Sequence, residues 1–190
     1  MARASLETFD PDAVIAETRV WIERVVVGLE LCPFAAEPLD RGRVRFAVSE
    51  AEDAEALAAD LADELARLDR EPAEVLETTI LVHPTALRAF DDYNRFLDAV
   101  DLLLESLSLV GTIQVASFHP DYRFRGAGPD DIANATNRSP HPMLHLLREE
   151  SIARATRAHS DPKGIPARNV ERLRALGWDG LVRLRGRPPA

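Results

Sequence analysis

Apolar positions recur along this chain with two different periods, and the switches between them divide it into elements. Over residues 10–27 the spacing is helical, with Val14, Thr18, Trp21, Ile22, Val25 and Val26 falling on one side. Asp10 and Pro11 supply a cap and a first-turn proline, and Gly28 stands where such a helix should stop. Residues 43–49 alternate instead, placing Val44, Phe46 and Val48 on one face of a strand. Residues 49–70 return to the helical period, with Ser49 and Glu52 at the spacing of a capping box. Two further strands, over 77–84 and 112–120, each close on His-Pro, and a helix over 90–107 lies between them. An irregular stretch follows over 121–139. The pattern then predicts a fourth long helix from Ser139 and Pro140 to about Ala158, a shorter helix over 166–176 and a brief edge strand over 180–185.

Each strand is separated from the next by more than 25 residues that include a helix, the arrangement of parallel βαβ units. The fold class is therefore α/β: a small, mainly parallel or mixed sheet of three to four strands flanked by about five helices. An α+β sheet with an antiparallel strand is the alternative. Ligands in such sheets sit beyond the carboxyl ends of the strands, where His83 and His119 fall, so both should lie on one edge.

The chain has 190 residues, 46% of them hydrophobic, enough for one domain over 1–190 with a core that needs no disulfide. Residues 1–9 and 186–190 read as loose tails. No apolar run approaches the roughly 20 residues of a membrane span, and the first residues lack a secretory core. A single cysteine, Cys32, excludes an internal disulfide and a cysteine-based zinc cluster. These features point to a cytoplasmic protein without a membrane or nucleic-acid partner; oligomeric state does not follow from them. Residues 1–130 carry 12 basic and 26 acidic side chains, whereas 131–190 carry 11 basic and 6 acidic. The basic final third could attract a small anion.

Three places can carry chemistry. Cys32 precedes Pro33 in a turn; it is a buried apolar residue or, if a helix starts there and its amides lower the thiol pKa, a nucleophile. His83 and His119 are held by extended backbone before proline, suited to acid–base work or to hydrogen-bonding a loop. Asn134, Thr136, Asn137, Arg138 and Ser139 run into the expected fourth helix, whose free amides beside Arg138 would bind a carboxylate or phosphate. On that helix His141, His145 and Arg148 would share a face. His141 and His145 could reach a metal with His119 or Cys32, but the spacing is common and no glutamate follows His141. No phosphate loop, dinucleotide fingerprint or serine elbow is present, and no cofactor or metal is assigned.

Several of these strings occur together in one order. They are Trp21 through Cys32-Pro33-Phe34, Glu77-Thr78-Thr79, Asp92-Tyr93-Asn94 with Asp98, Ser117-Phe118-His119-Pro120 with Tyr122 and Phe124, and Asn134 through Glu149. In this the chain resembles the family known as domain of unknown function 1415, over about residues 10–177. The resemblance implies no activity. It implies a tyrosine at position 141, so His141 departs from it and His145 is the more credible histidine. The functional expectation is an enzyme acting on a small anionic molecule, with Asn134, Thr136, Asn137, Arg138, Ser139 and Arg148 as ligand-binding residues and His119, His145 and Cys32 as catalytic ones. A non-catalytic anion-binding or sensing domain and a metal-dependent protein are the alternatives.

Overall fold

A computed structural model describes residues 9–185, so residues 1–8 and 186–190, where the tails are expected, lie outside the described residues. Helix α1 (Pro11–Trp21) is capped by the Asp10 carboxylate, which accepts from the Asp12 amide at 3.0 Å, and it continues as a π-helical stretch, Ile22–Val27. Gly28 follows where the chain packs against itself; a Cβ there would meet the Arg24 carbonyl oxygen at 2.4 Å. A short helix α2 (Ala36–Asp40) leads to strand β1 (Val44–Val48), helix α3 (Ala54–Arg70) and strand β2 (Thr78–Val82). Helix α4 (Phe90–Ser106) and strand β3 (Ile113–Phe118) come next, then a single 3₁₀ turn, Ile132–Thr136.

The sheet is mixed and has four strands in the order β1-β2-β4-β3. Strands β1 and β2 are parallel, while β4 (Met143–Arg148) runs antiparallel to both β2 and β3. Val82 and Phe118 both pair with Met143, so β2 and β3 end at the same edge and His83 and His119 follow there, as expected.

The inserted strand corrects the expected fourth long helix. Residues 143–148 are β4, and only Glu149–Ala158 is helical (α5). The reason is burial on both faces: Met143 on one face and Leu144 and Leu146 on the other are all buried, so apolar residues fall at odd and even positions and the period of two is hidden. The expected edge strand over 180–185 is also replaced. It is the end of α6 (Ile165–Arg185), which turns at Gly177 (φ +67°), with Leu181 and Leu184 packed into the core three residues apart. Helix α3 starts at Asp53, whose carboxylate accepts from the Ala56 amide at 2.9 Å, and not at Ser49; Ser49 accepts from the Ala51 amide and donates to Asp60.

Helices α3 and α4 cover one face of the sheet, where Leu57, Leu61, Leu65, Leu68 and Tyr93 have no accessible surface. Helix α1, the π-helical stretch and α6 build a second core on the other face around Trp21, Val25, Ile80, Val82, Met143 and Leu173. No helix among the described residues is long and apolar enough to cross a membrane.

Candidate functional site

The second face is not filled. Between the sheet and its helices lies a cavity of about 690 Å³. Alternation along the strands puts Thr78 and Ile80, Met143, His145 and Leu147, and Gln114, Ala116 and Phe118 on its floor. Its other walls come from Trp21, Ile22 and Val26, from Cys32 and Phe34 in the following turn, and from Ile152 and Ala155 on α5. Most of these side chains are apolar. A few polar groups project among them, the composition of small-molecule sites in general.

His145 lies at the centre of the polar part of the floor, beside Thr78. Its Nε2 lies 2.8 Å from the Thr78 hydroxyl, and that hydroxyl donates its own hydrogen to the Leu146 carbonyl at 2.6 Å. Nε2 must therefore carry the ring proton and donate to Thr78, which leaves Nδ1 as a bare acceptor. Burial pushes the ring down to about 4, so it is neutral at pH 7. Trp21 and His145 both pack against the Phe118 ring, at centroid distances of 5.6 and 6.3 Å. The Trp21 indole N–H is buried without a hydrogen-bond partner.

Cys32 is half-buried in the turn between the π-helical stretch and α2. Burial pushes its thiol up, outweighing the opposing effect of the Phe34 and Ala35 amides, so the site does not present a primed thiolate. Helix α2 begins only at Ala36, which separates Cys32 from the helix start expected at Pro33. Cys32, Pro33 and His159 also wall a second, smaller cavity of about 360 Å³, together with Arg168, Asn169 and Arg172. At another part of the large cavity's wall, the buried Glu77 carboxylate lies between Arg154 (2.7 Å) and Arg43 (3.2 Å).

His119 lies on the opposite face from His145. It packs against Phe90 and Tyr93 of α4, with centroids 5.4 and 5.1 Å away. Its Nδ1 accepts from the Asp121 amide and its Nε2 donates to the Leu87 carbonyl, so both ring nitrogens are engaged. His83 stacks on Tyr93 in the same cluster and donates from Nδ1 to the Ala86 carbonyl, leaving its Nε2 buried and unpartnered. The Tyr93 hydroxyl donates to Met143 O and accepts from Phe118 N, binding the ends of β4 and β3 together. The structure thus brings Cys32 and His145 to one cavity and keeps His119 on the far side of the sheet.

The polar loop is occupied with itself. Asn134 bonds Phe124 N and Gly128 O, Thr136 bonds Ala133 O, Asn137 bonds Ser117 O, and Ser139 bonds His141 O. Arg138 donates to the Tyr122 and Pro129 carbonyls and lies 5.2 Å over the Trp178 ring. Arg148 ends β4 on the other face from His145 and donates to the carbonyls of Leu68, Glu71 and Leu76 at the end of α3. Since β4 replaces the expected helix, Ser139 caps no helix and no helix start faces Arg138. His141 does not share a helix face with His145; its Nε2 lies 2.8 Å from Glu17 of α1. Among the described residues no three side chains of histidine, cysteine, aspartate or glutamate gather as metal ligands.

The motifs behind the cavity and the loop recur in a known set of sequences: the model of DUF1415, described as a protein of unknown function, matches residues 13–183. The chain belongs to the DUF1415 family. No curated protein and no solved structure matches it. The DUF1415 match takes in both faces of the sheet and every cavity residue named above. Thr78, Glu77 and Arg154 were not among the expected site residues. Thr78 carried one usable signal, a polar residue on the same strand face as Ile80 and Val82; the Arg154–Glu77 pair spans 77 positions and had none.

Proposed function

We propose that the cavity over the second face is the functional site and that it binds a small, mainly apolar molecule. The observation that carries this reading is the cavity itself: about 690 Å³ over one face of a sheet whose other face buries four leucines and Tyr93 completely. Interiors of this size ordinarily close to crystal-like density, so an open apolar space of ligand dimensions marks a site. The internal bonding of Arg138 and its neighbours shifts the reading away from an anion at residues 134–139.

The test uses a neutral, environment-sensitive dye, N-phenyl-1-naphthylamine, whose emission rises in an apolar pocket. The protein should bind it saturably, and Ala116→Leu, which fills the floor, should abolish the signal while changing stability by less than about 1.5 kcal/mol. Unaltered dye binding by that variant sinks the reading. Catalysis is a second reading, favoured by Cys32 and His145 lining the same cavity. Loss of turnover in both Cys32→Ser and His145→Gln, with dye binding kept, would separate it from simple binding.

A further inference from the structure

The geometry points to a ligand that presents a hydroxyl donor to His145 Nδ1, with Thr78 as the residue that keeps this nitrogen free to accept. The inference rests on the cavity reading above and specifies the ligand's chemistry: a mainly apolar, uncharged molecule bearing a hydroxyl group.

A threonine hydroxyl has one hydrogen, and at Thr78 it is committed to Leu146 O at 2.6 Å. The 2.8 Å contact from His145 must then be a donation from Nε2–H, and a neutral imidazole has no second proton. Nδ1 is consequently an acceptor, held on the floor of an apolar cavity beside the Phe118 ring. Facing an apolar cavity, that acceptor gains a bond when an occupant brings a donor to it, and loses its access to water when the occupant brings none. A carboxylate or a fully ionised phosphate ester offers no hydrogen and would meet a lone pair. An alkyl group leaves the nitrogen unpaired. A hydroxyl satisfies it, and its oxygen keeps lone pairs for a further donor.

The experiment compares two probes of the same ring system, 2-naphthol and 2-methoxynaphthalene, titrated by fluorescence against the full chain at pH 7. In water the hydroxyl makes naphthol the better solvated of the two, so a naphthol preference reports a satisfied bond in the cavity. The native protein should bind naphthol about tenfold more tightly than its methyl ether. In His145→Phe the preference should vanish while the ether still binds. In Thr78→Val nothing fixes the proton on Nε2, so the preference should fall similarly, and this variant serves if His145→Phe does not fold. Equal binding of both probes by the native protein overturns the inference and leaves the cavity reading standing. So does a preference that persists in either folded variant. Binding of neither probe overturns the cavity reading itself.

Discussion

On the α3–α4 face, four leucines and Tyr93 pack with no accessible surface, whereas the opposite face encloses about 690 Å³. Each face also holds histidine, and the contrast repeats there. His83 and His119 on the packed face stand within an aromatic cluster and bond the loop carbonyls of Ala86 and Leu87. His145 on the open face bonds a neighbouring strand's side chain, Thr78, and lines the cavity. One sheet thus carries a side that sets stability and a side whose imperfect packing leaves room for a ligand. The same residue type packs into an aromatic cluster on one side and lines a cavity on the other, and neighbours decide which.

The largest expected effect breaks the packed face. Leu65→Ala should lower unfolding free energy by about 3 kcal/mol, within the range for a buried leucine, because no cavity there can relax into existing space. Chemical denaturation measures it. A loss below about 1 kcal/mol would mean that the two faces are equally loose.

Acid should act through the same face. Burial lowers His83 to about 4, from roughly 6.5 in an unfolded chain. Between those values the unfolded state binds more protons, so stability rises with pH there. The contribution is complete above pH 6.5, declines as pH falls through that value, and by pH 4 amounts to a loss of roughly 3 kcal/mol. Urea titrations at pH 7, 5.5 and 4.5 should show a steep slope that flattens in His83→Gln. An unchanged slope in the variant would assign the acid sensitivity to other groups, His145 first among them.

These contrasts also show what was legible beforehand. Strands β1, β2 and β3 were readable because Val44, Phe46 and Val48 alternate and because His-Pro closes the other two. Strand β4 was not, since a central strand buried on both sides loses its alternation and Met143 to Leu147 then resembles a helix start after Ser139-Pro140. A helix over these residues would set a helix terminus beside Arg138 and put His145 beside Arg148, whereas the strand sends those two side chains to opposite faces. Cys32 and His145 could be singled out by residue type, but their shared cavity depends on how α1 and α5 sit over the sheet.

Arg138 gives a smaller effect that sharpens the correction. With its guanidinium on the Tyr122 and Pro129 carbonyls and over Trp178, Arg138→Ala should cost about 1–2 kcal/mol of stability. Dye binding in the cavity should be unaffected. A variant with native stability that no longer binds small anions would restore the loop as a site.

Cys32 tests the open face with the least disturbance of the fold. The thiolate is the species that reacts with iodoacetamide, so the pH midpoint of labelling reports the thiol in place. Two influences compete there: the amides of Phe34 and Ala35 favour the thiolate, and the surrounding apolar walls oppose it more strongly. The folded protein should therefore label with a midpoint above the roughly 8.5 of a free thiol. Occupancy adds a second readout, because Cys32 lines the large cavity: a bound naphthol should slow labelling in the native protein and have no effect in Ala116→Leu. A midpoint below roughly 8.5 would show that the amides prevail and would make Cys32 an activated nucleophile. Labelling indifferent to naphthol, with naphthol demonstrably bound, would put the ligand in a part of the molecule that Cys32 does not border.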